Sequence, residues 1–112
     1  YNNVLSNLKS YKKQHMYTIS DRIKTQEFNK LQVQKLVKTD RVEILCISLE
    51  KEAIFPEHTS PTDAQLIVLE GDIVFHINGD TFNLKKQEHF GFPKEVMHWV
   101  KANTNSKFLI IR

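Results

Sequence analysis

Glycine and proline are scarce in this chain, three of each, and cysteine occurs once. The three glycines (Gly71, Gly79 and Gly91) form no Gly-rich loop of the kind that cradles a phosphate. A single cysteine excludes an internal disulfide. Cys46 lies in the apolar run from Val42 to Leu49 and reads as a small buried hydrophobe, without the neighbouring cations that activate a thiolate. A reducing, cytoplasmic setting accords with that usage. The longest apolar runs, Leu66–Leu69 and Phe108–Ile111, are far too short to span a bilayer, so no membrane partner is expected. No serine or cysteine sits in a nucleophile elbow, and nothing places two carboxylates in one pocket. No secretory leader pattern opens the chain at Tyr1; residues missing upstream, a processed start and a native start at Met16 stay open.

The 112 residues are enough for one domain burying ~65% of its unfolded surface. The net charge of +3 is unevenly spread. Lys9, Lys12 and Lys13 fall in the first thirteen residues with no acid among them, and the thirteen remaining bases balance the thirteen acids. A nucleic-acid surface would cluster Lys and Arg with interleaved aromatics on the folded face, and that pattern is absent. The basic tail reads instead as a solvated helix or arm.

Val4, Leu8 and Tyr11 recur at helical spacing, so residues 1–20 are expected to be a short helix or irregular arm, with 21–112 the folded domain. Ile23 and Phe28 are its expected anchors. From Leu31 the period changes to two. Strands are predicted over 31–37, 42–49, 65–69, 73–77, 81–84, 98–101 and 107–112. Asn78-Gly79 between two such runs signals a type I′ hairpin turn. Pro56 and Pro61 bracket His58 as an ordered loop rather than a strand interior. Many short strands with turns between them imply an antiparallel sandwich or barrel.

Two stretches carry more information. One runs from Phe55-Pro-Glu-His58 through Ser60 and Ala64 to Leu69-Glu-Gly71, and the other is Pro93-Lys-Glu-Val-Met-His98. Together they resemble the two signature motifs of the cupin superfamily, in the manner of small single-domain bacterial members. The resemblance covers roughly Val42 to Arg112. It implies an all-β jelly-roll barrel (a double-stranded β-helix) with a pocket inside. Family members hold a metal with three histidines and a glutamate. Here His58 and His98 keep two of those positions, while Ser60 and Ala64 replace the others, so the metal site is degenerate. Glycines that the family often carries are replaced by Glu52, Gln87 and Glu95.

A first-row divalent metal wants three or four imidazole or carboxylate ligands at ~2 Å, and two imidazoles leave a weak site. Glu57 and Asp63 neighbour the inward positions and should therefore face out. The ligand pocket is expected at His58, Ser60, Ala64 and His98. Two readings follow: a non-catalytic small-molecule binding or sensing protein without a cofactor, or a metal-dependent enzyme of the dioxygenase, isomerase or decarboxylase type. The second would use Fe, Mn, Ni or Zn on His58 and His98. A sensor module of a larger regulator is a third and weaker possibility. His76 and His89 alternate with core residues and should face outward, and His15 lies in the tail. Phe55, Phe75, Phe90 and Phe92 serve either core or pocket. Trp99 should point away from the pocket. With Gln65, Ile67 and Leu69 on an outer sheet face, it suggests a homodimer through the barrel sheets.

Overall fold

The computed structural model describes residues 17–112; of the expected arm over residues 1–20, residues 1–16 lie outside the described residues. A single helical turn, α1 (Arg22–Thr25), precedes nine strands: β1 (Leu31–Lys38), β2 (Glu43–Leu49), β3 (Ile54–His58), β4 (Ala64–Glu70), β5 (Asp72–Ile77), β6 (Asp80–Lys85), β7 (His89–Phe92), β8 (His98–Ala102) and β9 (Ser106–Ile111). They form a five-stranded sheet in the order β1-β2-β9-β4-β7 and a four-stranded sheet in the order β3-β8-β5-β6. All pairings are antiparallel. This is the antiparallel all-β arrangement expected from the strand pattern, and the jelly roll that the cupin resemblance implied.

Alternation decides which side chains meet between the sheets. Leu45, Ile47 and Leu49 of β2 join Leu66, Val68, Phe108 and Ile110 from the same sheet. Ile73, Phe75, Ile77, Val100 and Ala102 face them from the other. Cys46 is fully buried but belongs to the opposite face of β2, as does Ser48. Burial raises the Cys46 thiol above its ordinary pKa, which suits an inert thiol.

Residues 22–28 lie across the outer face of the five-stranded sheet. Gln26 Nε2 donates to the Cys46 carbonyl at 3.0 Å, and Arg22 Nε donates to Gln34 Oε1 at 2.8 Å. Lys107, only 3% exposed, donates from Nζ to the Ile23 carbonyl at 2.6 Å and sits 5.0 Å from the centre of the Phe28 ring. Ile23 and Phe28 thus act as anchors, Ile23 through its backbone and Phe28 through its π face.

Several turns need left-handed backbone. Asn78 (φ 52°) and Gly79 (φ 80°) make the β5–β6 hairpin turn in the expected conformation. Gly71 (φ 96°) follows β4, where an added Cβ would lie 2.6 Å from the Asn105 carbonyl oxygen. Glu52, Gln87 and Glu95 have φ of 72°, 70° and 64°. Those are the three positions where glycine is missing from the family pattern, and each side chain there strains the turn. One expectation needs correction. Pro56 and His58 belong to strand β3 rather than to a loop. β3 is an edge strand, and Pro56 falls where the β3–β8 register shifts, two places where a residue without an N–H is tolerated.

Replacing Glu52, Gln87 or Glu95 by glycine should stabilise the fold by up to about 1 kcal/mol each, because relief of left-handed strain outweighs the extra chain entropy. Gly71→Ala should destabilise it by about 2 kcal/mol. Urea unfolding midpoints at constant m-value check both.

Candidate functional site

The register of β3 against β8 builds the site. Phe55 pairs with Val100 and His58 with His98, so β3 spends one residue more than β8 between the two pairs. Without that bulge, Phe55 and His58, three residues apart, would face opposite sides of the sheet. With it, both line the interior. Phe55 stacks on the His58 ring with centroids 4.1 Å apart and planes 14° apart. Phe75 lies parallel to His98 at 5.2 Å, and Phe92 meets His98 edge-on at 4.7 Å. His98 is 2% exposed, and His58 is half-buried.

The loop before β8 is fixed from the other side. Glu95 N donates to the Ser60 carbonyl at 2.9 Å, and Lys94 N donates to Asp63 Oδ1 at 3.0 Å. The two motif segments therefore hold each other in register. Asp63 is spent in that contact, and Glu57 is exposed, so neither supplements the histidines.

His58 Nδ1 lies 2.7 Å from the Pro56 carbonyl, and His98 Nδ1 lies 3.0 Å from the Val96 carbonyl. A carbonyl only accepts, so each Nδ1 carries the proton. The two Nε2 atoms then face each other at 3.0 Å. Three contacts in a row need three protons, and two neutral imidazoles supply two. The pair is one cation or one donor short. Desolvation is the main cause holding the His98 pKa below its ordinary 6.5; the Val96 carbonyl opposes this, while the His58 and Arg112 charges add to it.

The pair lies in the wall of a cavity of about 280 Å³ between the sheets. Phe55, Phe75, Phe92, Phe108 and Val100 supply most of its apolar wall, and Ser60, Thr59 and Arg112 its other polar groups. A groove of about 310 Å³ beside His76 and Trp99 is more open and lies on the outer side of the same sheet. Of the expected pocket residues, His58, Ser60 and His98 line the cavity. Ala64 is buried in the core opposite Phe92 and is not among the lining residues. His76 and Trp99 do face outward, cross-strand partners stacked at 3.6 Å, so the indole is half-covered within the chain itself. His89 is exposed and bonds Gln65 Oε1 at 2.6 Å.

Arg112, Val33 and Phe108 are cavity residues that the motif comparison does not point to. Arg112 Nε donates to Glu43 Oε1 at 2.8 Å, and Lys35 and Lys38 also approach Glu43, at 3.2 and 3.8 Å. The Arg112 hydrogen bond, ahead of a contrary desolvation effect, holds the Glu43 carboxyl below its usual pKa.

The sequence model of the cupin domain family matches residues 45–111, more than half of the chain. The chain belongs to the cupin family. Among solved structures, this cupin is similar to an RmlC-like cupin from Desulfovibrio desulfuricans: TM-score 0.76, 19% identity, covering 87% of this chain and 95% of that one. It is also similar to a conserved protein of unknown function from Streptococcus pyogenes, with a TM-score of 0.73, 21% identity, and 87% and 86% of the two chains covered. A cupin 2 conserved barrel domain protein from Leptotrichia buccalis matches at a TM-score of 0.73 and 27% identity, over 79% of this chain and 44% of that one. No curated protein matches.

Whether a resident metal suits this cupin depends on the donor set. No group of three or more His, Cys, Asp or Glu that could hold a metal occurs among the described residues. The Ser60 hydroxyl donates to the Thr62 carbonyl at 2.6 Å. Two imidazoles are half a cage, and they do not fit a tightly held metal by themselves.

Because the folded His98 pKa lies below 6.5, the unfolded chain binds the extra proton first as pH falls. The associated stability is present above pH 6.5 and is lost as pH falls from there toward the folded value. The melting temperature in chelator should therefore drop between pH 7.5 and 5.5, and the drop should shrink in His98→Gln. Identical pH profiles for the two proteins would contradict the assignment.

Proposed function

We propose that this cupin is a small-molecule binding or sensing protein, without catalysis, whose ligand occupies the barrel cavity beside His58 and His98. The observation that carries the reading is the cavity itself. At about 280 Å³, it sits at the lower edge of the ~300–1,000 Å³ typical of ligand pockets, and its wall is apolar with a few convergent polar groups. The row of contacts lacks one proton, which either a ligand O–H or N–H at the two Nε2 lone pairs or a proton taken up together with a bound anion would supply. Loss of two of the four family metal positions supports binding over chemistry. The lone buried cysteine supports a reducing, cytoplasmic home, and half-buried Ile67 and Leu69 on the outer sheet face support pairing of two copies.

A second reading, a metal-dependent enzyme of the dioxygenase, isomerase or decarboxylase type, is favoured by one distance. Two nitrogens at ~2.1 Å from one ion and at right angles to each other are separated by about 3.0 Å, the spacing found here. Such a site would need donors beyond the two histidines.

Two measurements separate the readings. Screening small acids, alcohols and amides by thermal shift should find compounds that raise the melting temperature by about 2–4 °C, and Val100→Trp, which fills the cavity, should abolish the shift. Elemental analysis should find well under one Fe, Mn, Ni or Zn per chain. Near-stoichiometric metal, lost in the His58→Ala/His98→Ala double variant, would instead establish the second reading.

A further inference from the structure

Resting on the small-molecule reading above, the cavity's charge pattern narrows the ligand class. None of the thirteen lining residues is Asp or Glu. The lining polar side chains are two imidazoles, two hydroxyls and the Arg112 guanidinium, so the one permanently charged side chain in the wall is a cation. Glu43, the carboxylate beside it, is shared among Arg112, Lys35 and Lys38, which leaves this cluster with a net charge of +2. Among the described residues, Arg112 uses only Nε for that contact. Its two Nη groups have no side-chain partner there, and Nη donors are suited to grip a second carboxylate in bidentate fashion. The other walls are aromatic: Phe55, Phe75 and Phe92 present ring faces and edges to the same space.

We infer that the cavity binds a small amphipathic carboxylate, with its apolar, preferably planar body against Phe55, Phe75 and Phe92 and its anionic head on Arg112. The cationic cluster of Lys35, Lys38 and Arg112 attracts such an anion, and no acidic side chain lines the wall to repel it. A neutral analogue keeps the body contacts and loses the charge-assisted pair. A cationic analogue meets Arg112 with like charge.

Benzoate, benzamide and benzylamine are the probes, titrated by calorimetry and by chemical-shift changes of the Phe75 and Phe92 rings at one pH and low salt. Benzoate should bind at least about tenfold more tightly than benzamide, and benzylamine should not bind. Arg112→Gln should erase the benzoate advantage while leaving benzamide affinity within about twofold. Because Arg112→Gln also breaks the contact to Glu43 and could unfold the chain, Glu43→Gln is the second variant. It frees the guanidinium and should raise benzoate affinity or hold it. Equal binding of benzoate and benzamide, or a benzoate preference that survives Arg112→Gln, overturns the carboxylate class and leaves the binding reading standing. If none of the three probes perturbs the ring signals, both are overturned.

Discussion

One extra residue in β3 carries the whole site. The bulge between Phe55 and His58 turns two side chains of one strand toward the same interior and sets His58 directly opposite His98. Straighten the bulge with the sequence unchanged and the imidazole would point to solvent, the Phe55 ring would lose its stacking partner, and the barrel cavity would lose its polar corner. Proline suits this place because an edge strand at a bulge asks no ladder hydrogen bond of its nitrogen. The site is thus a property of backbone register before it is a property of any side chain.

The pair so formed is held with unusual economy. Each ring has one nitrogen tied to a carbonyl two residues earlier in its own segment, so both tautomers are dictated locally. What remains is a pair of lone pairs pressed together among phenylalanine rings. Such an arrangement has little reason to exist for stability alone, since unsatisfied buried polar groups weaken a fold. In the binding reading proposed above, it is one half of a contact that a ligand completes.

The fold was largely legible because it rests on period-two alternation and on punctuation: Asn78-Gly79 marked its turn, and the apolar run before Glu70-Gly71 marked a central strand. The two motif histidines were legible from their spacing. Pro56 was misread because a proline argues against strand only where both neighbours must pair, and an edge cannot be told from a centre in one sequence. Arg112 escaped notice because it lies outside both motifs, and only the β2–β9 pairing brings the chain's last described residue to the cavity wall. Ala64 matched a motif position, yet a methyl group at the start of β4 does not reach the space that a glutamate would fill. Lys107 is a site about which its own sequence neighbourhood is uninformative. A lysine in an apolar run reads as solvent-facing, but it is buried here because residues 23–28 fold back and supply a carbonyl and a ring to its ammonium.

The two imidazoles do not share equal footing. His98 sits on β8, which is hydrogen-bonded on both flanks, whereas His58 sits on β3, which among the described residues has β8 as its only ladder partner. One ring is therefore held by ladders on both sides, and the other by a ladder on one side alone. Parting of β3 from β8 would separate the two rings while leaving the ladders of the opposite sheet intact.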